Sequence, residues 1–481
     1  MSRRASEVSS PEYDAAVVGS GPNGLAAAIE LARSGLSVIV LEAASQIGGG
    51  TRTAELTLEG FHHDVCSAIH PLGVASPFLA QLPLEEFGLK FVYPGVPLAH
   101  PLEDGSAAVL DRSLDQTVRS FGADGRAHER LVGRFVKHSD QLLEDALGPL
   151  RWPHHPLNLA LFGRVGIKSV LSLATSRFDS NKVRSLYGGM GAHSMLRLDQ
   201  RLTGGVALML AVLAHTAGWP MPAGGSHSIT LAMARYLESL GGKIVTDHPV
   251  ADLDDVPKAR SVIFNVTPRQ LDQIAGARLS SRYRRGLGRF RYGPGVFKLD
   301  IALDGPIPWK AEECTRAGTV HVCGSLPEID ASEAAVAAGR VPERPFVLVG
   351  QQSLFDDSRA PEGKHMVWAY CHVPSRSTED MTDRIEAQIE RFAPGFKDRI
   401  LARHTIDPGS FESYNANYVG GDINGGVQDV RQHFGRPMFR LRPYSTSNKS
   451  IYICSSSTPP GGGVHGMCGY HAARAALRYL N

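Results

Sequence analysis

No stretch of this 481-residue chain is apolar for long enough to cross a bilayer. The longest apolar run, 206–214, is about half of what a spanning helix needs. Cysteine is scarce: Cys66, Cys314, Cys323, Cys371, Cys454 and Cys468 form no CxxC pair and no finger spacing. That argues against a disulfide framework or a metal module, and for reduced thiols in a cytoplasmic protein. An excess of either charge is also missing. Fifty basic side chains face 48 acidic ones, for a formal net charge of +2, and no basic stripe stands out. Phosphate backbones demand a clustered positive field, so nucleic acid is excluded as a partner. Internal repeats and low-complexity tracts are absent. Residues 1–11 are polar and basic without the apolar core of a signal peptide, and read as a disordered lead-in.

What is present is an ordinary globular composition, 43% hydrophobic and 20% charged, in a chain long enough for two packed domains. Residues 13–18 (YDAAVV) read as a buried strand, 25–34 as an Ala-rich helix stopped by Gly35, and 37–41 (SVIVL) as a second strand ending at Glu42. This is a complete βαβ unit, the context that gives a glycine pattern its meaning. From 75 to 218 strand signals thin out and helical stretches such as 127–147 and 158–173 dominate. A Gly/Pro-rich joint at 218–225 leads to a helix over 228–240 and strands over 243–247 and 261–266. A strand-rich section covers 293–373, a helix 380–392, and a last strand 451–454 precedes a final Ala-rich helix.

Gly19, Gly21 and Gly24 match GxGxxG: tight turn, bare backbone beside a pyrophosphate, and close helix–strand contact. The helix N-terminus then offers free N–H groups to the phosphates. Glu42, 18 positions after Gly24, stands where a carboxylate accepts ribose hydroxyls. Two further Gly-rich loops distinguish FAD from NAD. Gly48 and Gly49 follow Glu42 closely, and Gly461, Gly462, Gly463 and Gly466 follow the last strand. One FAD spanning both ends of the chain explains both loops, because a flavin ring edge gathers negative charge that backbone amides stabilise.

The segments VVGSGPNGL at 17–25, IGG at 47–49, PAGGS at 222–226, YVGGDI at 418–423 and CSSSTPPGGGVHGMCG at 454–469 resemble the phytoene desaturase superfamily of flavoproteins. Within it they are most similar to the branch of pyridine nucleotide-disulphide oxidoreductase domain-containing protein 2, and the matching blocks run from about residue 12 to the C-terminus. The resemblance implies an α/β fold with a glutathione-reductase-like, Rossmann-type FAD-binding domain, discontinuous over 12–74, 219–292 and 400–481. An α+β substrate domain over 75–218 and 293–399 completes it. It implies desaturation or isomerisation of a carotenoid-like or other lipophilic substrate. Gly19, Gly21, Gly24, Glu42, Gly48, Gly49 and Arg52 would then serve the ADP half, Val250 would meet the adenine, and Thr458, Gly461, Gly462, Gly463, Val464 and Gly466 would lie near the ribityl chain and ring. Two positions depart from the family: Gly50 where an arginine follows the glycine pair, and His465 where a proline is usual.

His465 is the candidate catalytic residue, as a proton shuttle near the flavin. His62, His63, His70 and the segment 414–418 are candidate substrate contacts, and the Leu-rich stretch 202–213 suits an apolar tunnel. Expected partners are an apolar small molecule, an electron acceptor such as oxygen or a quinone, and a membrane surface touched peripherally. Two other functions fit the same residues. One is a flavin amine oxidase, although those carry a Gly-Glu pair where this chain has Cys454-Ser455-Ser456. The other is a flavin protein whose role is binding or regulation.

Overall fold

The computed structural model describes residues 11–480; the lead-in expected over 1–11 therefore lies, but for Pro11, outside the described residues. Five strands form an all-parallel sheet in the order Ile451–Ile453, Ala259–Phe264, Tyr13–Val18, Val38–Leu41, Lys243–Val245. Parallel sheets are covered on both faces, which is why Val38–Leu41 and Ile451–Ile453 are buried along their whole length, while the edge strand Lys243–Val245 is partly exposed. Helices Pro22–Arg33, His227–Ser239 and Met467–Leu480 pack on one face, where Leu25, Ile29, Met233, Leu237 and Ala473 bury Val17 and Val40. On the other face Leu271 of helix Pro268–Ala275 meets Phe264 and Ile453.

The two ends of the chain meet in this layer. A Cβ on Gly469 would collide with the carbonyl of Asn23 and come within 2.9 Å of the Ala27 nitrogen. A Cβ on Gly466 would stand 3.0 Å from that of Ala26. The last helix thus lies backbone against backbone on the first.

A second, mixed sheet has seven strands, in the order Ile400–Ile406, Gly295–Leu303, His365–Val373, Val347–Gly350, Ala317–Val322, Val96–Pro101, Ala107–Leu110. Only the pairing of Ala317–Val322 with Val96–Pro101 is parallel. Two expectations are corrected here. Ile400–Ile406 pairs with Gly295–Leu303, so this piece of 400–481 belongs to the second sheet and not with the nucleotide-binding strands. Val96–Pro101 and Ala107–Leu110 are strands inside a stretch that reads as helical. Both are buried along their whole length, so neither shows the alternation that betrays a half-exposed strand.

The helical expectations also break into pieces. The stretch 127–147 divides at His138 into Gly125–Lys137 and Ser139–Ala146. Pro156–Gly166 and Val170–Arg177 meet at 90°. Among the described residues no single helix is long and apolar enough to cross a membrane. All six cysteines are buried and free.

Candidate functional site

A cleft of about 480 Å³ opens where the parallel strands end, at Gly19 and Gly21 after the first strand, Glu42 after the second, Asn265 after the fourth and Ser455–Ser457 after the last. Ligands favour this edge of an open parallel sheet. Gly19 takes a φ of +96°, and a Cβ there would stand 3.2 Å from the Asn265 carbonyl. A Cβ on Gly24 would run into the carbonyl of Gly19, so the helix sits directly on its turn. No side chain caps that helix and its first turn has no carboxylate, which leaves its leading N–H groups to an anion.

The second glycine loop touches the first: a Cβ on Gly49 would be 3.3 Å from Cα of Gly21. Arg52 is buried and joins the loop to Glu42 through a 3.0 Å ion pair, while its Nε donates to the Gln46 carbonyl at 2.9 Å. Glu42 is more committed than its position suggests. One carboxylate oxygen accepts from the Ser20 N–H (2.9 Å) and hydroxyl (2.6 Å), the other from the Ala44 N–H (3.0 Å) and Arg52. A ribose hydroxyl therefore reaches Glu42 by taking the place of Arg52 or sharing its oxygen.

FAD fits this donor set. The two glycine loops form a cradle that side chains would fill, beside the uncapped N-terminus of helix Pro22–Arg33.

Of the residues expected to hold the cofactor, Gly19, Gly21, Glu42, Gly49, Arg52 and Val250 line the cleft. Gly24 and Gly48 lie behind it as spacers, Gly48 against Thr230. The C-terminal block is divided. Ser455–Ser457 line the cleft, whereas Gly462, Gly463 and His465 line a second one. Thr458, Gly461, Val464 and Gly466 line neither. Gly461 instead makes room for the Arg436 guanidinium, which would stand 2.8 Å from its Cβ. The segment 414–418, read from sequence as facing substrate, lies in the dinucleotide cleft. His62 is half-exposed, His63 is buried 3.3 Å from Asp300, and His70 is buried 2.8 Å from the Ser226 hydroxyl; none of the three lines either cleft. Asn265, Thr267 and Gln270 escaped notice because nothing in their local pattern sets them apart from a loop and a helix start.

The departure at Gly50 has a steric cause. A Cβ there would collide with the Tyr418 hydroxyl, so neither arginine nor alanine fits. The ring carbon bearing that hydroxyl is 3.5 Å away, an ordinary contact. Gly50→Ala should therefore weaken cofactor retention about tenfold or more, by forcing the loop off its seat at a cost of about 1–3 kcal/mol. Adding Tyr418→Phe should restore most of it, as measured by flavin released on dilution; a double variant no better than the single one refutes the steric account.

The second cleft holds about 510 Å³ and is mainly apolar, with Leu159, Phe162, Val206, Met209, Leu210 and Leu213 along it. The stretch 202–213 thus does line an apolar space. A thin partition separates the clefts. Ile423 and Gly425 face the first and Asn424 and Gln428 the second, just as Ser455–Ser457 line the first and Pro459, Pro460, Gly462 and Gly463 the second. Arg436 ties the partition together by donating to the Ser456 carbonyl at 2.8 Å.

His465 faces the apolar side. Its Nδ1 accepts from the Met467 N–H at 3.0 Å, which places the proton of the neutral ring on Nε2. Burial pushes the pKa down to about 4, against the backbone carbonyls of Gly461 and Gly462, which favour the charged ring. The expectation of a shuttle titrating near neutrality is thereby corrected: at pH 7 this imidazole is a neutral hydrogen-bond donor.

Comparison with known proteins agrees with the layout. Residues 17–82 match the NAD(P)-binding Rossmann-like domain. The mouse pyridine nucleotide-disulfide oxidoreductase domain-containing protein 2 is 25% identical over 98% of this chain and 94% of its own. Among solved structures, an oxidoreductase from Methanosarcina mazei superposes with a TM-score of 0.65 at 16% identity, covering 96% of this chain and 99% of that one. Putrescine oxidase bound to putrescine superposes with 0.60 at 19% identity, covering 98% and 99%. The chain thus carries an NAD(P)-binding Rossmann-like domain over 17–82, shares the two-sheet fold of these oxidoreductases, and is similar along nearly its whole length to pyridine nucleotide-disulfide oxidoreductase domain-containing protein 2.

Proposed function

We propose that the protein is an FAD-dependent oxidoreductase whose substrate is apolar and lies in the second cleft, undergoing dehydrogenation or a redox-neutral isomerisation. The observation that carries this reading is the apolar cavity separated from the dinucleotide cleft by one shared partition. FAD, when bound, supplies the hydride acceptor or donor. The protein's part is to exclude water, through leucines, Met209 and Phe162, and to orient the substrate.

The chemistry of the cavity wall disfavours an amine. Its only lining carboxylate is Asp145, and both oxygens of Asp145 already accept backbone N–H groups, from His154 and His155, at 2.8 Å. An ammonium would find a single carboxylate, already engaged by two backbone N–H groups, in a wall that is otherwise mainly apolar.

Anaerobic reduction of the bound flavin tests the proposal. Apolar alkenes or polyenes should bleach it, and Leu210→Trp, which fills the cavity, should slow bleaching about tenfold or more while the flavin stays bound. Bleaching by simple amines with peroxide release would replace this reading with amine oxidation. A flavin that no apolar compound reduces would leave a binding or regulatory role.

A further inference from the structure

We infer that the protein docks on an anionic phospholipid surface through the face built from helix Ser281–Leu287 and the loop 434–442. This inference is independent of the redox reading. Arginines crowd residues 282–291 (RYRRGLGRFR), and folding brings the loop 434–442 beside them. A cavity of about 600 Å³, away from both clefts, is lined by Arg282, Arg285, Arg289 and Arg440 together with Ser280 and Ser447. Neighbouring arginines are neutralised: Arg284 pairs with Asp272 at 2.7 Å and Arg291 with Asp429 at 2.6 Å. Arg282, Arg285, Arg289 and Arg440 make no ion pair among the described residues. Four guanidinium groups with no carboxylate between them are a site for phosphate oxygens.

The loop is held firmly enough to present its side chains. Arg440 lies over the Tyr283 ring at 5.1 Å and donates to the Ser445 carbonyl at 2.6 Å. Met438 packs on the helix where Gly286 leaves room, its Cε 2.7 Å from where a Cβ would be. Between these anchors Phe439 is 83% exposed and Leu441 96% exposed. They alternate with Arg440 and Arg442, and 434–442 (FGRPMFRLR) contains no carboxylate.

This two-tier chemistry decides the partner. Apolar tips enter acyl chains while guanidinium groups remain among the headgroup phosphates, an arrangement that a bilayer satisfies along its whole surface. An acidic protein would satisfy the arginines but offers no reason for apolar side chains beside them. The apolar cleft opens next to the same loop: Phe434 lines its mouth with Leu150, and Trp152, two residues on, is 86% exposed. A lipophilic molecule could then pass from the bilayer to the cleft without crossing water.

Sedimentation of the full-length holoprotein with vesicles provides the test. It should bind phosphatidylcholine vesicles containing phosphatidylglycerol, lose binding as salt rises, and ignore pure phosphatidylcholine. Phe439→Ala/Leu441→Ala and Arg282→Glu/Arg285→Glu should each reduce the bound fraction roughly tenfold, with the flavin spectrum unchanged. Equal binding to neutral vesicles, no binding at all, or variants that sediment like the parent would overturn the inference. So would saturable binding of inorganic phosphate, glycerol phosphate or polyglutamate without binding to anionic vesicles.

Discussion

Acidification from pH 7 to pH 5 should unfold the protein. Burial holds His70, His100 and His465 down to about 4 and His128 down to about 3. All four side chains are essentially inaccessible, so their neutral forms belong to the fold. In the unfolded chain each titrates near 6.5. Between the two values the unfolded state binds more protons, so stability is complete above about pH 6.5 and is lost as pH falls toward 4. At pH 5 each of these histidines costs about 2 kcal/mol, and four together cost about 8 kcal/mol, comparable with the whole stability of an ordinary domain. Paired imidazoles sharpen the effect, since His128 Nε2 lies 2.9 Å from that of His215, and protonating both would bring like charges together. Urea midpoints measured from pH 7.5 to 4.5 should fall steeply below 6.5. A flat profile down to pH 5 would show that these rings are solvated in solution.

Gly469→Ala should destabilise the protein by about 3 kcal/mol and release the flavin. A methyl group there meets the Asn23 carbonyl, rigid backbone that cannot swing aside, so overpacking acts at the upper end of its usual range. The first helix must lift, and Asn23, which lines the dinucleotide cleft, lifts with it. Gly133→Ala is the matched control: it too is helical, but its Cβ would meet only Glu129 Cγ at 3.9 Å. That substitution should leave stability unchanged or raise it by about 1 kcal/mol. Thermal melts that shift equally for the two variants would refute close helix packing as the cause.

The C-terminal block shows where reading by local pattern stops. Its glycines invite one explanation, bare amides beside a ligand, because a glycine pattern has the same appearance whatever stands opposite it. In three dimensions Gly466 and Gly469 admit the first helix, Gly461 admits a guanidinium, and Gly462 and Gly463 face an apolar space. Strand Ile400–Ile406 falls in the 400–481 piece for a related reason: which sheet receives it depends on Gly295–Leu303, a hundred residues earlier.

The sequence by itself determined the parallel nucleotide-binding sheet, the glycine turn, Glu42 and the apolar character of 202–213. The single strands, the turn and the apolar stretch are each encoded by neighbours within about thirty residues, where strand, turn and helix preferences and periodic burial act directly. The βαβ unit at 13–41 sets the parallel arrangement that the distant strands join. Only the tertiary structure decided that Glu42 is already bonded to Ser20, Ala44 and Arg52, that Tyr418 crowds position 50, that the His465 ring is neutral, and that Arg440 joins the arginines of 282–289 at one cavity. Those are consequences of distance in space and of exclusion from water, and neither quantity is written in the order of residues along a chain.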